Sequence, residues 1–142
     1  AQTVAARLGH IHEPIWVLAA DTTVLAGGEI LAKPANFSDA TRIWQHLKEP
    51  DHCVLTGIAL WHAGVIAQRV VTTKVDFTGI PEEEQRAYWD SGEPQDKAGA
   101  YAIQGRAALY IRGIEGSYSN VVGLPLAETA ALLRQANYPL WL

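Results

Sequence analysis

The segment from Asp96 to Gly105 is the part of the chain whose residue types most clearly point to chemistry. It reads Asp-Lys-Ala-Gly-Ala-Tyr-Ala-Ile-Gln-Gly, with an acid, a base and an amide set among small residues. The order shows neither the alternation of a strand nor the spacing of a helix. Gly99 and Gly105 permit close backbone approach or unusual dihedral angles. The pattern therefore favours a segment that lies against a ligand over one built only for packing.

A second polar stretch, from Asp21 to Lys33-Pro34, lies far upstream and is expected to form the other wall of the same pocket. Asp21 directly follows the apolar run 15–20, which predicts a buried strand. A carboxylate at the end of such a strand requires a partner, a metal ion or a cleft, because burying it alone is costly. A turn-forming Asp that bonds to its own backbone is an equally good interpretation.

The other polar candidates also have simpler explanations. Lys33, Asp96 and Lys97 are compatible with solvated loop charges, since exposed ion pairs contribute little to stability. Gln104 offers a donor and an acceptor that suit the edge of a nucleotide base, and a buried, satisfied amide is its alternative. The segment 10–13, His-Ile-His-Glu, has residue types that chelate metals, but no zinc-binding spacing occurs in the sequence.

Composition narrows the class of protein. The 142 residues are 49% hydrophobic and 18% charged, which predicts one compact domain with a sizeable core. The net charge of −4 argues against a nucleic-acid partner. No apolar run is long enough for a membrane span. The lone cysteine, Cys53, excludes an internal disulfide and fits a reducing compartment, so we expect a cytoplasmic protein with no membrane partner.

The elements that must position these residues alternate between strands and helices. Residues 15–25 and 29–31 predict a hairpin around Gly27-Gly28, and Ser38 is the expected N-cap of a helix that Pro50 ends. Residues 54–61 and 65–77 predict two strands, residues 81–90 a helix, residues 109–112 a strand, and the region after Leu126 a final helix. This alternation predicts a single α/β domain, with a mixed sheet flanked by helices.

Long motifs resemble the Maf family over nearly the whole chain. They comprise Ala20-Asp21-Thr22-Thr23-Val24, residues 28–31, Lys33-Pro34, His52, Thr56-Gly57, Ser91-Gly92-Glu93-Pro94, residues 96–105 and residues 116–125. The resemblance implies a fold similar to that of inosine triphosphatases. It also implies a homodimer and a hydrolase that splits a nucleoside triphosphate into monophosphate and pyrophosphate, with Mg²⁺ or Mn²⁺ as cofactor.

The same resemblance assigns roles to individual residues. Asp21 is expected to accept a proton from the attacking water and to contact the metal, and Lys33 to stabilise the triphosphate charge. Thr22 and Gln104 resemble the residues of the group that acts on dTTP and UTP. The group that acts on 7-methyl-GTP tends to carry Gln and Glu at these two positions. Asp96 and Lys97 are expected to bind substrate.

Two departures from the family pattern bear on the function. The family opens with Ser-x-Ser-Pro-Arg-Arg on a first strand and phosphate-binding loop, and the sequence given has no such segment, so residues 1–142 are expected to be the domain without it. Ala102 stands where the family usually has Gly, which requires a backbone conformation that Ala can adopt. The leading hypothesis is a dTTP and UTP pyrophosphatase. A 7-methyl-GTP pyrophosphatase and a non-enzymatic, nucleotide-binding inhibitor of septum formation are the alternatives.

Overall fold

A computed structural model of the protein describes residues 1–8 and 14–141. The helices are α1 (Gln2–Arg7), α2 (Phe37–His46), α3 (Glu82–Asp90), α4 (Tyr118–Val122) and α5 (Leu126–Gln135). The strands are β1 (Trp16–Ala26), β2 (Glu29–Leu31), β3 (Cys53–His62), β4 (Val65–Phe77) and β5 (Ile111–Glu115). Two short 3-10 turns, Ala98–Ala100 and Arg106–Tyr110, lie between α3 and β5. The expected alternation of strands and helices is confirmed.

The strands form one five-stranded sheet in the order β2-β1-β3-β4-β5. All four pairings among the described residues are antiparallel, so this part of the sheet is not mixed as the sequence had indicated. For two of these pairings the reason is local: tight turns join β1 to β2 and β3 to β4, and a two-residue turn can only join antiparallel strands. Ala63 and Gly64, with φ of 48° and 84°, form the second of these turns.

The β1–β2 hairpin brings Lys33 back toward the middle of β1. Its turn residues Gly27 and Gly28 have φ of 60° and 73°, the left-handed geometry of a two-residue hairpin turn. Both of their N–H groups donate to the Asp51 carboxylate, at 2.8 and 3.1 Å. These bonds lower the pKa of Asp51, with the bond from Gly27 as the larger cause. Asp51 thus fixes the hairpin from outside it.

The main core lies on one face of the sheet, under α2 and the Ala98–Ala100 turn. Alternate residues of β1, β3 and β4 supply the sheet side of this core, and α2 supplies its amphipathic face. The largest fully buried side chains of this core are Leu31, Ile43, Trp44, Leu47 and Val54. A smaller cluster, built on Ile58, Leu60 and Leu132, packs α5 against β3. The face of α2 expected from the sequence is therefore confirmed.

Three local expectations are wrong. The N-cap of α2 is Asn36, whose side chain accepts a bond of 3.0 Å from the Asp39 N–H, and Ser38 lies inside the first turn. The extended backbone of Asn36 places its short carbonyl over the free N–H groups. Strand β5 begins at Ile111, because the preceding residues close a 3-10 turn. Helix α4 was not expected, since a five-residue helix carries no periodic signal.

Candidate active site

A cleft of about 340 Å³ brings together the residues that the sequence had singled out. Its lining includes all six candidates, namely Asp21, Thr22, Lys33, Asp96, Lys97 and Gln104. One wall comes from β1 and from Lys33, which follows β2. The other wall comes from the 96–104 segment, and residues 121–123 at the end of α4 form a third side. The volume is within the range of small-molecule sites. The expectation that the two polar stretches form one pocket is confirmed in its geometry.

Lys33 and Asp96 join the two walls across the mouth of this cleft. The Lys33 Nζ donates to Asp96 Oδ1 at 2.5 Å, although the side chains are 62% and 81% exposed. The bond to Lys33 holds the pKa of Asp96 below its ordinary value. A second link lies behind the pair, where the Gly99 N–H donates to the Ala32 carbonyl at 3.2 Å. A solvated ion pair at the mouth leaves Lys33 available to an incoming anion.

Asp21 does not end a strand as expected. It lies in the middle of the eleven-residue β1, directly opposite Gly57 of β3. Its side chain is exposed, so the cost of burying a carboxylate does not arise. By strand alternation it lies on the opposite face from Thr22. Because β2 covers only residues 24–26 of β1, the edge at 16–23 has no strand partner among the described residues, and the exposed Asp21 side chain is accessible to a ligand there.

Thr22 belongs to a buried polar network. Its hydroxyl lies 2.9 Å from the Thr56 hydroxyl and donates to the Gly123 carbonyl at 3.3 Å. Thr56, which is fully buried, donates in turn to the Asn120 carbonyl at 3.3 Å. These bonds tie the cleft side of β1 to α4. Thr22 therefore connects β1 to β3 and to the end of α4, and its hydroxyl is hydrogen-bonded within the protein.

Asn120 is the centre of that network and was not singled out from the sequence. Its Nδ2 donates to the Val54 carbonyl and to the Thr73 hydroxyl, both at 3.0 Å, and the residue is fully buried. Thr73 also donates to the Ser117 carbonyl, and the Ser117 side chain caps α4. A single asparagine thus connects β3, β4 and α4. Only the resemblance of residues 116–125 to the family had pointed to this region.

Gln104 lies on a turn held by residues outside the cleft. Gly105 follows it, and a Cβ at that position would overlap the carboxylate of Glu93. Glu93 accepts from the Arg106 N–H at 2.9 Å, and the Tyr88 hydroxyl donates to Glu93 at 2.8 Å. A close approach at Gly105 was expected toward a ligand, and the group that lies there is the Glu93 carboxylate of the protein. Gln104 itself is exposed.

Glycine is required at position 99 of this wall but not at position 102. Gly99 has φ of 73°, and a Cβ there would lie 3.0 Å from a methyl group of Val24, so both steric arguments for glycine apply. Ala102, in place of the usual Gly, has no positive φ and fits without strain. Ala100 is the residue that adopts the left-handed region, with φ of 54°.

His52 is part of the core below the cleft. It is 1% exposed, its Nε2 lies 3.3 Å from the Tyr101 hydroxyl, and both rings pack on Phe77. Burial lowers the pKa of His52 to about 4. The imidazole is therefore neutral at pH 7 and supports Tyr101, one of the cleft residues.

Within residues 1–8 and 14–141, no group of three or more His, Cys, Asp or Glu side chains is arranged to hold a metal ion. The segment 10–13, which the sequence had raised as a chelating stretch, lies outside the described residues. The cleft contributes two carboxylates, Asp21 and Asp96. Two carboxylates completed by substrate phosphates form the usual protein contribution to a Mg²⁺ site, so the residues fit a metal that arrives with its nucleotide. None of the described helices meets the length and hydropathy of a membrane span.

Comparison with known families matches residues 1–136 to the family described as Maf-like protein. Among curated relatives, the dTTP/UTP pyrophosphatase of Hahella chejuensis is 48% identical over 91% of this chain and 64% of its own length. The dTTP/UTP pyrophosphatase of Myxococcus xanthus is 50% identical over 99% of this chain and 69% of its own. That of Anaeromyxobacter dehalogenans is 51% identical over 87% and 66%. The chain thus spans about two thirds of the length of these relatives.

Proposed function

Because the chain belongs to the Maf family, we propose that it hydrolyses dTTP and UTP to the monophosphate and pyrophosphate. The observation that carries this proposal is the single cleft lined by Asp21, Lys33, Asp96 and Gln104, which come from two distant parts of the sequence. The names of the relatives support the choice of nucleotide. They support a hydrolase over a non-enzymatic septum inhibitor, which is not favoured.

In the proposed reaction, water attacks the α-phosphorus and the bond to the β-phosphate oxygen breaks. Asp21 takes the proton of the water, and pyrophosphate leaves with its electron pair on oxygen. The exposed position of Asp21 at the open edge of β1 supports this role, since a base must reach solvent water. Lys33 changes partner from Asp96 to the triphosphate, where its ammonium offsets the developing negative charge.

We propose Mg²⁺ or Mn²⁺ as the cofactor, with Asp21 as its protein contact beside the substrate phosphates. When bound, such an ion neutralises phosphate charge and orients the leaving group. Asp96 and Lys97 are proposed to act at the phosphate end of the cleft. Asp96 does so through Lys33, because a carboxylate alone would repel a triphosphate.

Gln104 is proposed to read the base. An amide can pair with the carbonyl and the imide N–H of thymine and uracil, whereas a carboxylate suits the donor edge of guanine. The glutamine therefore supports the pyrimidine nucleotides over 7-methyl-GTP, which is not favoured. Thr22 is proposed to contribute to the same selectivity by fixing the β1 side of the cleft to α4. A cytoplasmic homodimer is the setting that we propose on the family resemblance.

The test is a product assay on this chain. The protein is incubated with dTTP, UTP and 7-methyl-GTP in the presence of Mg²⁺ or Mn²⁺, and the released phosphate species is identified. We expect pyrophosphate from dTTP and UTP, and a loss of about 100-fold or more in Asp21→Asn. Asp76→Asn, on the exposed side of β4 and away from the cleft, is the matched control. Release of orthophosphate, or preference for 7-methyl-GTP, would contradict the proposal.

A further inference from the structure

The turn that carries Gln104 is held at both ends by two side chains. At its start, the Ala102 N–H donates to the Tyr88 hydroxyl at 3.3 Å. At its end, the Arg106 and Ala107 N–H groups donate to the two oxygens of Glu93, at 2.9 and 3.4 Å. The turn between them is closed by one internal bond, from the Gly105 N–H to the Ala102 carbonyl at 3.0 Å.

Tyr88 and Glu93 also bond to each other. The Tyr88 hydroxyl donates to Glu93 Oε1 at 2.8 Å, so the phenol receives one bond from the turn and gives one to the carboxylate. Tyr88 is 3% exposed, and burial is the main cause that raises the pKa of its phenol. The hydroxyl therefore stays protonated at neutral pH, where it donates to Glu93.

Gly105 makes this arrangement sterically specific. A Cβ at this position would overlap both oxygens of the Glu93 carboxylate. The backbone of Gly105 has φ of −117°, which other residues adopt readily, so the requirement for glycine comes from the carboxylate alone. Gly105, which follows Gln104, thus leaves the space that the Glu93 carboxylate occupies.

Neither Glu93 nor Tyr88 lines the cleft, whereas Ala102, Ile103 and Gln104 do. We propose that Glu93 and Tyr88 are positioning residues that set the selectivity for the nucleotide base by fixing the turn on which Gln104 is carried. This inference rests on the proposed function, in which Gln104 reads the base. Asp21 on β1 and Lys33 after β2 lie outside residues 88–107, and Asp96 and Lys97 precede the turn that Glu93 and Tyr88 hold. We therefore expect the effect to fall on selectivity more than on the chemical step.

Discrimination between uracil and cytosine requires a fixed turn, because a glutamine amide can pair with either base. Its carbonyl and its NH₂ lie on opposite sides, so a mobile Gln104 can present a matching pair to uracil in one orientation and to cytosine in the other. The two bases differ only at that edge. A backbone held at Ala102 and again at Arg106 limits where the amide can sit, and the position of the base in the cleft then decides which orientation is allowed.

The experiment compares UTP with CTP. The ratio of their kcat/KM values is measured for the wild type, Glu93→Ala, Tyr88→Phe, Gln104→Ala and the double variant of Glu93→Ala with Gln104→Ala. We expect the ratio to fall about tenfold in Glu93→Ala and less in Tyr88→Phe. If Glu93 acts through Gln104, the double variant has the same ratio as Gln104→Ala alone. Glu93→Gln keeps one accepting oxygen and should restore part of the ratio.

A second tyrosine–carboxylate pair provides the matched control. The Tyr110 hydroxyl donates to Glu84 on α3, away from the cleft, and Glu84→Gln should leave the ratio unchanged. Circular dichroism and the thermal midpoint report whether each variant is folded. A folded Glu93→Ala and a folded Glu93→Gln with the wild-type ratio of UTP to CTP would overturn the inference.

A wild type that hydrolyses neither nucleotide would contradict the proposed function and still leave the positioning role testable. Amide hydrogen exchange at Arg106 and Ala107 should accelerate at least tenfold in Glu93→Ala. Equilibrium binding of UTP and CTP would replace the kinetic ratio. Unchanged exchange at both amides, or unchanged relative binding, would overturn the role of Glu93 whatever the activity of the chain.

Discussion

Lys33 is proposed to act in the site, and its contribution to the stability of the fold is expected to be small. Its partner Asp96 is mostly exposed, and ion pairs of this kind are screened by water and salt. The pair places a positive charge at the mouth of the cleft without burying it. A ligand with several negative oxygens competes well for the Lys33 ammonium, because it must displace only the Asp96 carboxylate.

We expect Lys33→Ala to lower kcat/KM for dTTP about 100-fold, because the ammonium is lost where phosphate charge develops. Its thermal midpoint should remain that of the wild type. Lys74→Ala is the control, since Lys74 forms a similarly exposed pair with Glu115 at 3.6 Å outside the cleft. Equal activity of both variants would remove Lys33 from the proposed mechanism.

His52 makes stability depend on pH. Its pKa is about 4 in the fold, against an ordinary value of 6.5. Between these values the imidazole is protonated in the unfolded chain and neutral in the folded protein. The contribution of His52 to the free energy of unfolding is therefore largest above pH 6.5 and decreases as the pH falls toward 4. We expect this residue to account for a loss of about 3 kcal/mol in the free energy of unfolding.

Urea denaturation at pH 7 and pH 4 measures this loss. The decrease in the free energy of unfolding between the two pH values should be about 3 kcal/mol smaller in His52→Gln than in the wild type. His46→Gln, on α2, should keep the wild-type decrease. An identical decrease in His52→Gln would show that the imidazole does not titrate differently in the folded state.

At the residue scale, sequence reasoning found the side chains that face the cleft and missed those behind it. Asp21, Lys33 and Gln104 stand out because a polar residue among apolar or small neighbours is unusual. Asn120 and Tyr88 do not stand out, because their partners are distant in sequence or are backbone groups. A hydrogen-bond network of that kind depends on tertiary contacts that no local pattern encodes.

The elements around the cleft are held to one another by polar side chains as much as by the core. Helix α4 is only five residues long and packs on β3 and β4 through Asn120, Thr56 and Thr73. A helix this short has little stability of its own. Its position, and with it the Gly123 carbonyl that Thr22 contacts, depends on the asparagine.

We expect Asn120→Ala to lower the free energy of unfolding by about 2 kcal/mol, because the buried Thr73 hydroxyl and Val54 carbonyl lose a partner. Gln45→Ala, exposed on α2, should change it by less than about 0.5 kcal/mol. Chemical denaturation measures both. A similar value for the two variants would mean that water replaces the asparagine.

Most helices and strands were predictable from the sequence. The errors fall where one local pattern is compatible with two structures. The apolar run 15–20 and the Gly27-Gly28 pair located the β1–β2 hairpin, and two long runs rich in apolar residues located β3 and β4. Asn36 and Ser38 are both good N-caps, and the backbone alone decided between them. The sequence left open whether the strand ends at Asp21 or continues through residues 22–25, because a long strand with a polar centre resembles a strand followed by a turn.

At the scale of the whole molecule, the sheet is unevenly protected. Strand β3 has a neighbour on both sides over its length, whereas residues 16–23 of β1 have one only on the β3 side among the described residues. The open stretch is apolar at its start and reaches the cleft at Asp21 and Thr22. The site thus lies at a part of the sheet where β1 has a strand neighbour on one side only.

Amide hydrogen exchange should reflect this difference. We expect the slowest exchange in the centre of β3, and exchange at least 100-fold faster for those amides of residues 16–23 that point away from β3. The β4 amides bonded to β3 provide an internal comparison. Uniformly slow exchange along β1 would show that its open edge is covered in solution.

The turn that carries Gln104 has a consequence for how selectivity can be moved between proteins. Every bond that fixes it begins or ends between Tyr88 and Ala107, in one uninterrupted stretch of chain. The residues proposed for the chemical step, Asp21 and Lys33, lie outside that stretch. If Gln104 reads the base as proposed, exchanging this one segment with that of a relative should transfer the part of the base preference that depends on Gln104, together with Asp96 and Lys97, while Asp21 and Lys33 remain in place.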